Sequence, residues 1–127
     1  MTRLGLKIGG RLTTFLGLAG NGDLIATCSS TDSRNHHVGR LLGLGRSLDD
    51  ILADMTMVSE GVKSCSGLLA LASRNGVEMP IAQEVGHVLH DGKSARQAAA
   101  DLMARPPALE ALTYGLAEAG VHLPDGR

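Results

Sequence analysis

The sequence is poor in aromatic residues and nearly neutral in charge. It contains one Phe, one Tyr and no Trp, and its 12 basic residues are balanced by 13 acidic ones. A protein that binds nucleic acid needs a basic surface, commonly with aromatic side chains that stack on bases, so this composition argues against that function. No apolar run reaches the roughly 18 residues that a membrane-spanning helix needs, and the first residues lack the apolar stretch of a signal peptide. We therefore expect a cytoplasmic protein that binds neither nucleic acid nor a membrane.

Cysteine is also scarce, and the two that occur, Cys28 and Cys65, are not spaced like metal ligands. Both lie in apolar segments with helical spacing, which predicts small buried side chains. Nothing in the sequence indicates an oxidising compartment, so we expect both thiols to be reduced and unbridged.

Apolar residues recur along the chain at the spacing of α-helices, and no segment shows the two-residue alternation of a β-strand. Ser47 before Asp50 and Ser94 before Gln97 have the spacing of capping boxes, and Pro80 suits the first turn of a helix. The predicted helices span residues 2–8, 23–28, 34–44, 48–55, 60–74, 80–92 and 98–103, with a short apolar turn at 12–18. The longest of them is expected to bury its apolar residues Val62, Leu68, Leu69 and either Leu71 or Ala72. This pattern predicts an all-α bundle.

The chain of 127 residues has the size of one domain. We divide it into a helical domain at residues 1–104 and a C-terminal extension at residues 105–127. A Pro-Pro pair interrupts the helical pattern at the start of that extension. Residues 108–119 are compatible with one more helix, and residues 120–127 are expected to fray.

The segment 17–35, GLAGNGDLIATCSSTDSRN, is unusually rich in glycine and polar residues. Glycine costs about 1 kcal/mol relative to alanine inside a helix, so it is expected where the backbone approaches another atom closely or takes an unusual dihedral angle. Asp23 and Thr27 are four residues apart and share a helix face, where a carboxylate and a hydroxyl can bind polyol hydroxyls. An N-cap after Gly22 is the simpler interpretation of Asp23, and the two roles are compatible.

The triplet Ser33-Arg34-Asn35 begins the next predicted helix. Backbone N–H groups at a helix N-terminus bind phosphate well, and an arginine can grip a phosphate with two parallel hydrogen bonds. A solvent-exposed capping triplet is the alternative interpretation. Farther along, Glu60 fits the first turn of a helix, where the helix dipole favours an acid, and Val58 fits the core.

Three motifs together resemble the C-terminal, substrate-binding domain of the NAD(P)-dependent glycerol-3-phosphate dehydrogenases. That domain reads GLAGxGDLxxTCxSxxSRNxxxG, then VxEG about twenty residues later, then GVxMPI, and this chain has the motifs at residues 17–39, 58–61 and 76–81. The resemblance extends from about residue 1 to about residue 103. It implies the helical domain of the 6-phosphogluconate dehydrogenase group.

The resemblance also implies roles for single residues. Ser33, Arg34 and Asn35 would hold the phosphate of glycerol 3-phosphate or dihydroxyacetone phosphate, with Asp23 and Thr27 at the polyol end. Four histidines, His36, His37, His87 and His90, have no such role. The first two stand where the family commonly has basic residues, and we interpret all four as surface histidines rather than as metal ligands.

The cofactor implied by the resemblance is NAD or NADP. Arg34 would reach it as well as the substrate, and Val58 and Glu60 would contact it from this domain. The chain has no GxGxxG turn of a Rossmann domain, and Lys7 does not match the setting of the family's catalytic lysine. We therefore expect the C-terminal domain alone, without activity of its own.

Two functions follow as hypotheses. In the first, the domain supplies the substrate half of an enzyme that moves a hydride between the cofactor and dihydroxyacetone phosphate for phospholipid synthesis. In the second, it is a non-enzymatic module that binds a phosphorylated metabolite or a partner protein. In both we expect exposed apolar surface where a Rossmann half would lie, and therefore self-association or binding of a Rossmann domain in trans.

Overall fold

The computed structural model describes residues 1–57 and 59–106, in which all regular secondary structure is helical and no β-strand occurs. The helices are α1 Thr2–Lys7, α2 Leu12–Leu16, a π-helical turn Leu18–Gly22, α3 Asp23–Ser29, α4 Arg34–Gly43, α5 Leu48–Asp54, α6 Glu60–Arg74, α7 Pro80–His90 and α8 Ala95–Met103. The predicted all-α fold is confirmed. No helix in this described part is long and apolar enough to cross a membrane. The helix expected at 108–119 and the frayed end at 120–127 lie outside the described residues.

The predicted serine caps are present. The Oγ atom of Ser47 accepts a hydrogen bond from the backbone N–H of Asp50 at 3.1 Å, and Ser94 does the same for Gln97 at 3.1 Å. The first cap differs from a capping box, because the Asp50 carboxylate accepts from the Ser47 hydroxyl rather than from its backbone N–H. Because Ser94 is the N-cap itself, α8 begins at Ala95, three residues before its expected start.

Glycine ends two of the longer helices. Gly76, after α6, has a φ of +63°, and Gly92, after α7, has a φ of +71°. Glycine adopts this left-handed conformation without steric cost, and it turns the chain out of the helix. The second case explains why α7 ends at His90 rather than continuing to residue 92 as expected.

A core cluster joins α1 to α6 and to the residues before α7. Leu4 of α1, Ala72 of α6 and Met79 before α7 are buried against one another, with Leu68, Val77 and Ala82 partly buried around them. Ile51 of α5 is fully buried. The sequence left open whether Leu71 or Ala72 of α6 is buried. The buried residue is Ala72, which is 3% exposed, whereas Leu71 is 36% exposed.

The two cysteines differ in environment. Cys65 of α6 is buried, its Sγ lies 3.8 Å from the carbonyl oxygen of Ala82, and burial raises the pKa of its thiol. The prediction that Cys28 is buried is wrong, because α3 contributes no buried residue to the described structure and this thiol faces outward. Both thiols are free.

The segment from α1 to α3 has many exposed apolar side chains. Leu18 is 89% exposed, and the others are Ile8, Leu16, Leu24 and Ile25. Exposed apolar surface of this kind usually marks an interface. That these residues form the face toward a Rossmann domain, and that the chain self-associates through them, stay predictions.

Candidate functional site

The Ser33-Arg34-Asn35 triplet lies at the beginning of α4. Ser33 is the N-cap, and its Oγ atom accepts from the backbone N–H of His36 at 3.3 Å. Arg34 and Asn35 form the first helical turn, where backbone N–H groups have no partner within the helix. This end of α4 borders an open cavity of about 480 Å³. The residues that line it are Ala26, Thr27, Ser30, Asp32, Ser33, Arg34, Asn35 and Glu60.

Asn35 joins the beginnings of α4 and α6. Its Oδ1 atom accepts two hydrogen bonds, one from the Ser59 hydroxyl at 2.5 Å and one from the backbone N–H of Gly61 at 3.0 Å. Ser59 is fully buried and makes no capping bond of its own, so the side chain of Asn35 caps α6 from another helix. This contact brings Glu60 to the same cavity as the triplet.

Gly61 allows the approach of Asn35. A Cβ atom at this position would lie 2.7 Å from Oδ1 and 3.0 Å from Cγ of Asn35. Any residue larger than glycine at position 61 would therefore force either its own backbone or the side chain of Asn35 to move. Sequence reasoning did not identify Ser59 or Gly61 as site residues. A serine directly before a predicted helix indicates a cap, but its pairing with Asn35 is a tertiary contact.

A close backbone approach also explains one glycine of the glycine-rich segment. A Cβ atom on Gly20 would lie 2.3 Å from the carbonyl oxygen of Phe15. The π-helical turn can therefore pack on the end of α2 only with glycine at this position. The turn leads directly into α3 and sets where that helix begins.

Asp23 and Thr27 both lie on α3. Asp23 is the first residue of the helix and Gly22 is the N-cap, so the simple capping interpretation of Asp23 is wrong by one position. Thr27 borders the cavity at α4 and also an adjoining one of about 230 Å³. Asp23 borders the adjoining cavity, and Thr27 is the residue shared by the two.

The structure therefore brings together five of the seven residues that the sequence analysis selected: Thr27, Ser33, Arg34, Asn35 and Glu60. Asp23 lies next to this group, and Val58 lies outside the described residues. The charged groups around the cavity at the start of α4 are the guanidinium of Arg34 and the carboxylates of Asp32 and Glu60. Such a set can bind an anion at the end of α4 and hydroxyl groups beside it.

None of His36, His37, His87 and His90 lines the cavity at the start of α4. The Nδ1 atom of His87 lies 2.7 Å from a carboxylate oxygen of Asp91, and the Nε2 atom of His90 lies 3.0 Å from the Ser66 hydroxyl. Both are exposed, as is His37, whereas His36 in α4 is partly buried. Among the residues described, no three His, Cys, Asp or Glu side chains are placed to hold a metal ion.

The comparison with protein families identifies the domain. The family described as the C-terminus of NAD-dependent glycerol-3-phosphate dehydrogenase matches residues 1–100. The chain belongs to this family. The resemblance noted in the sequence is thereby confirmed, and the match includes every residue predicted to form the site.

Curated relatives and a solved structure agree with this assignment. The chain is 54% identical to glycerol-3-phosphate dehydrogenase (NAD(P)+) of Geobacter sulfurreducens over 105 residues, covering 83% of this chain and 31% of the relative. It is 48% identical to glycerol-3-phosphate dehydrogenase (NAD(P)+) 1 of Mycobacterium tuberculosis, covering 87% and 32% of the two chains. The crystal structure of glycerol-3-phosphate dehydrogenase from Coxiella burnetii superimposes with a TM-score of 0.78 at 35% identity, over 81% of this chain and 32% of that one.

The chain spans about one third of the length of these relatives. It corresponds to the helical C-terminal domain of the NAD(P)-dependent enzymes in this family. The contacts of its residues with a substrate or a cofactor are not part of that assignment and stay predictions.

Proposed function

We propose that the chain supplies the substrate-binding domain of an enzyme that interconverts sn-glycerol 3-phosphate and dihydroxyacetone phosphate, using NAD or NADP. The supporting observation is the cavity at the start of α4, which gathers the predicted phosphate-binding triplet and Thr27 in one place. The proposal extends to this chain the reaction that the names of its relatives describe.

The phosphate group is proposed to bind at the N-terminus of α4. Arg34 supplies the positive charge, and its guanidinium can donate two parallel hydrogen bonds to one phosphate. Ser33 and the first backbone N–H groups of the helix complete the site, aided by the positive end of the helix dipole. Asn35 contributes its Nδ2 donor, because its oxygen is occupied by α6.

The polyol end is proposed to lie toward α3, where Thr27 connects the two cavities and Asp23 borders the second. A carboxylate and a hydroxyl accept and donate the bonds that vicinal hydroxyl groups need. Arg34, Glu60 and Val58 are proposed to contact the dinucleotide. Hydride transfer is the chemistry of that cofactor, and these residues bind and orient what it reacts with.

Residues 1–127 by themselves are proposed to bind without turnover, because no lysine among them matches the setting of the family's catalytic lysine. The exposed apolar side chains of α1 to α3, such as Leu18, are proposed to bind a Rossmann domain in trans or a second copy of the chain. The alternative function, a module that binds a phosphorylated metabolite without catalysis, would use the same cavity. Oxidation of NADH with dihydroxyacetone phosphate, measured after a Rossmann domain is added, distinguishes the two.

The test of phosphate binding is a titration of the isotope-labelled chain with sn-glycerol 3-phosphate, followed by NMR. Arg34→Ala is expected to weaken binding about ten- to a hundred-fold, because a charge-assisted hydrogen bond contributes roughly 1.5–3 kcal/mol. Arg34→Lys should recover part of the affinity. The matched control is Arg40→Ala, an exposed arginine at the other end of the same helix. Equal affinity of Arg34→Ala and the wild type would refute the assignment of the site.

A further inference from the structure

Ser59 is a fully buried polar residue next to the cavity, and the roles proposed above do not include it. Its hydroxyl donates to the Oδ1 atom of Asn35 at 2.5 Å, and its side chain makes no capping bond to α6. A buried hydroxyl costs free energy unless it has a hydrogen-bond partner, and Asn35 is the partner that the structure gives Ser59. The partner that satisfies it belongs to the proposed phosphate site.

Together with a bond from the backbone N–H of Gly61, this bond sets which way the amide of Asn35 faces. The backbone N–H of Gly61 can only donate, so the atom 3.0 Å from it must be the carbonyl oxygen of the amide. With the Ser59 hydroxyl, both lone pairs of that oxygen are occupied. The Nδ2 group retains its two hydrogens, and none of residues 1–57 and 59–106 accepts a hydrogen bond from it.

We propose that Ser59 is a positioning residue, which holds the Asn35 amide so that its N–H donors face the cavity and are available to a phosphate ester. The inference rests on the proposed function, because it names how one donor of that site is oriented. A freely rotating amide would present its oxygen to an anion in part of the population and repel it. The two hydrogen bonds to Oδ1, from Ser59 and Gly61, keep this oxygen turned away from the anion.

The effect of removing the Ser59 hydroxyl is expected to be partial, because the Gly61 N–H still holds the oxygen. Loss of one neutral hydrogen bond corresponds to about a three- to ten-fold change in affinity. Ser59→Thr keeps the hydroxyl and should restore binding toward the wild-type value. In an Asn35→Ala background, Ser59→Ala should cause no further loss, because a residue that acts through Asn35 has nothing left to orient.

The experiment uses the isotope-labelled chain, in which NMR resolves the side-chain amide of Asn35 without ligand and during titration with sn-glycerol 3-phosphate. The variants are Ser59→Ala, Ser59→Thr, Asn35→Ala and the double alanine variant. The control is Ser64→Ala, an exposed serine of α6 whose hydroxyl donates to the carbonyl of Glu60. Thermal unfolding of each variant identifies any that fails to fold.

The inference is supported if Ser59→Ala changes the Asn35 side-chain signal in the free protein and weakens binding, while Ser64→Ala does neither. It is overturned if the Asn35 signal is unchanged, or if Ser59→Ala and Asn35→Ala weaken binding additively. The proposed function fails separately, if the ligand shifts no signal of residues 33–36 in the wild-type chain. In that case the free-protein signal still decides whether Ser59 orients the amide.

Discussion

Gly61→Ala provides a sharp test of the contact between α4 and α6, because two opposing effects act at one residue. Alanine is favoured over glycine in a helix interior by up to about 1 kcal/mol, which would stabilise the protein. The added Cβ, however, would lie 2.7 Å from the Oδ1 atom of Asn35, closer than such atoms pack. The side chain of Asn35 must then leave its position.

The displacement has two costs. The backbone N–H of Gly61 loses its acceptor, worth about 1 kcal/mol, and the buried hydroxyl of Ser59 loses its acceptor, worth about 1–3 kcal/mol. Ser59 is the N-cap residue of α6, so its hydroxyl can bond the helix directly once Asn35 has left. This new bond would offset part of the second cost. We expect a net destabilisation of about 1–2 kcal/mol, which lowers the melting temperature of a domain of this size by roughly 4–12 °C.

Gly67→Ala is the matched control, since it places the same methyl group in the same helix. A Cβ atom on Gly67 meets nothing within 4 Å, so only the helix preference remains and the melting temperature should rise. Both variants are compared by thermal unfolding followed by circular dichroism at 222 nm, a wavelength at which helices dominate the signal. If Gly61→Ala stabilised the protein as much as Gly67→Ala, Asn35 would not be held where the structure places it.

Two further predictions concern pH and thiol chemistry. A hydrogen bond from Lys93 holds the pKa of Asp101 below its ordinary value of 3.8, so this carboxylate stabilises the folded state above that pH and ceases to do so as the pH falls through its lowered pKa. Asp101→Asn should therefore lower the urea midpoint at pH 7 more than the control Glu78→Gln, and a difference that did not shrink as the pH was lowered below 3.8 would contradict this cause. Iodoacetamide should label exposed Cys28 in the native protein and buried Cys65 only after unfolding, and equal native labelling by mass spectrometry would contradict their observed burial.

Local features of the structure could be predicted from the sequence because they depend on a few neighbouring residues. Ser47 and Ser94 cap helices through bonds to residues three positions away, and both appeared as expected. The burial of Cys28 could not be predicted in the same way, because helical spacing shows which residues share a face but not which helix packs on that face. In α3, Cys28 is exposed, and no residue of this helix is buried in the described structure.

The candidate site shows the same division between local and tertiary information. The triplet at the start of α4 and the Glu60-Gly61 step at the start of α6 are separate motifs in the sequence, and spacing alone gives no reason for the glycine. The structure supplies the reason: Gly61 leaves room for Asn35, and its N–H binds the oxygen of that side chain. The two helix beginnings therefore act as one unit, in which α6 orients a residue that α4 presents to the cavity. A change in either motif is expected to affect both the stability of α6 and the binding of a phosphate at α4.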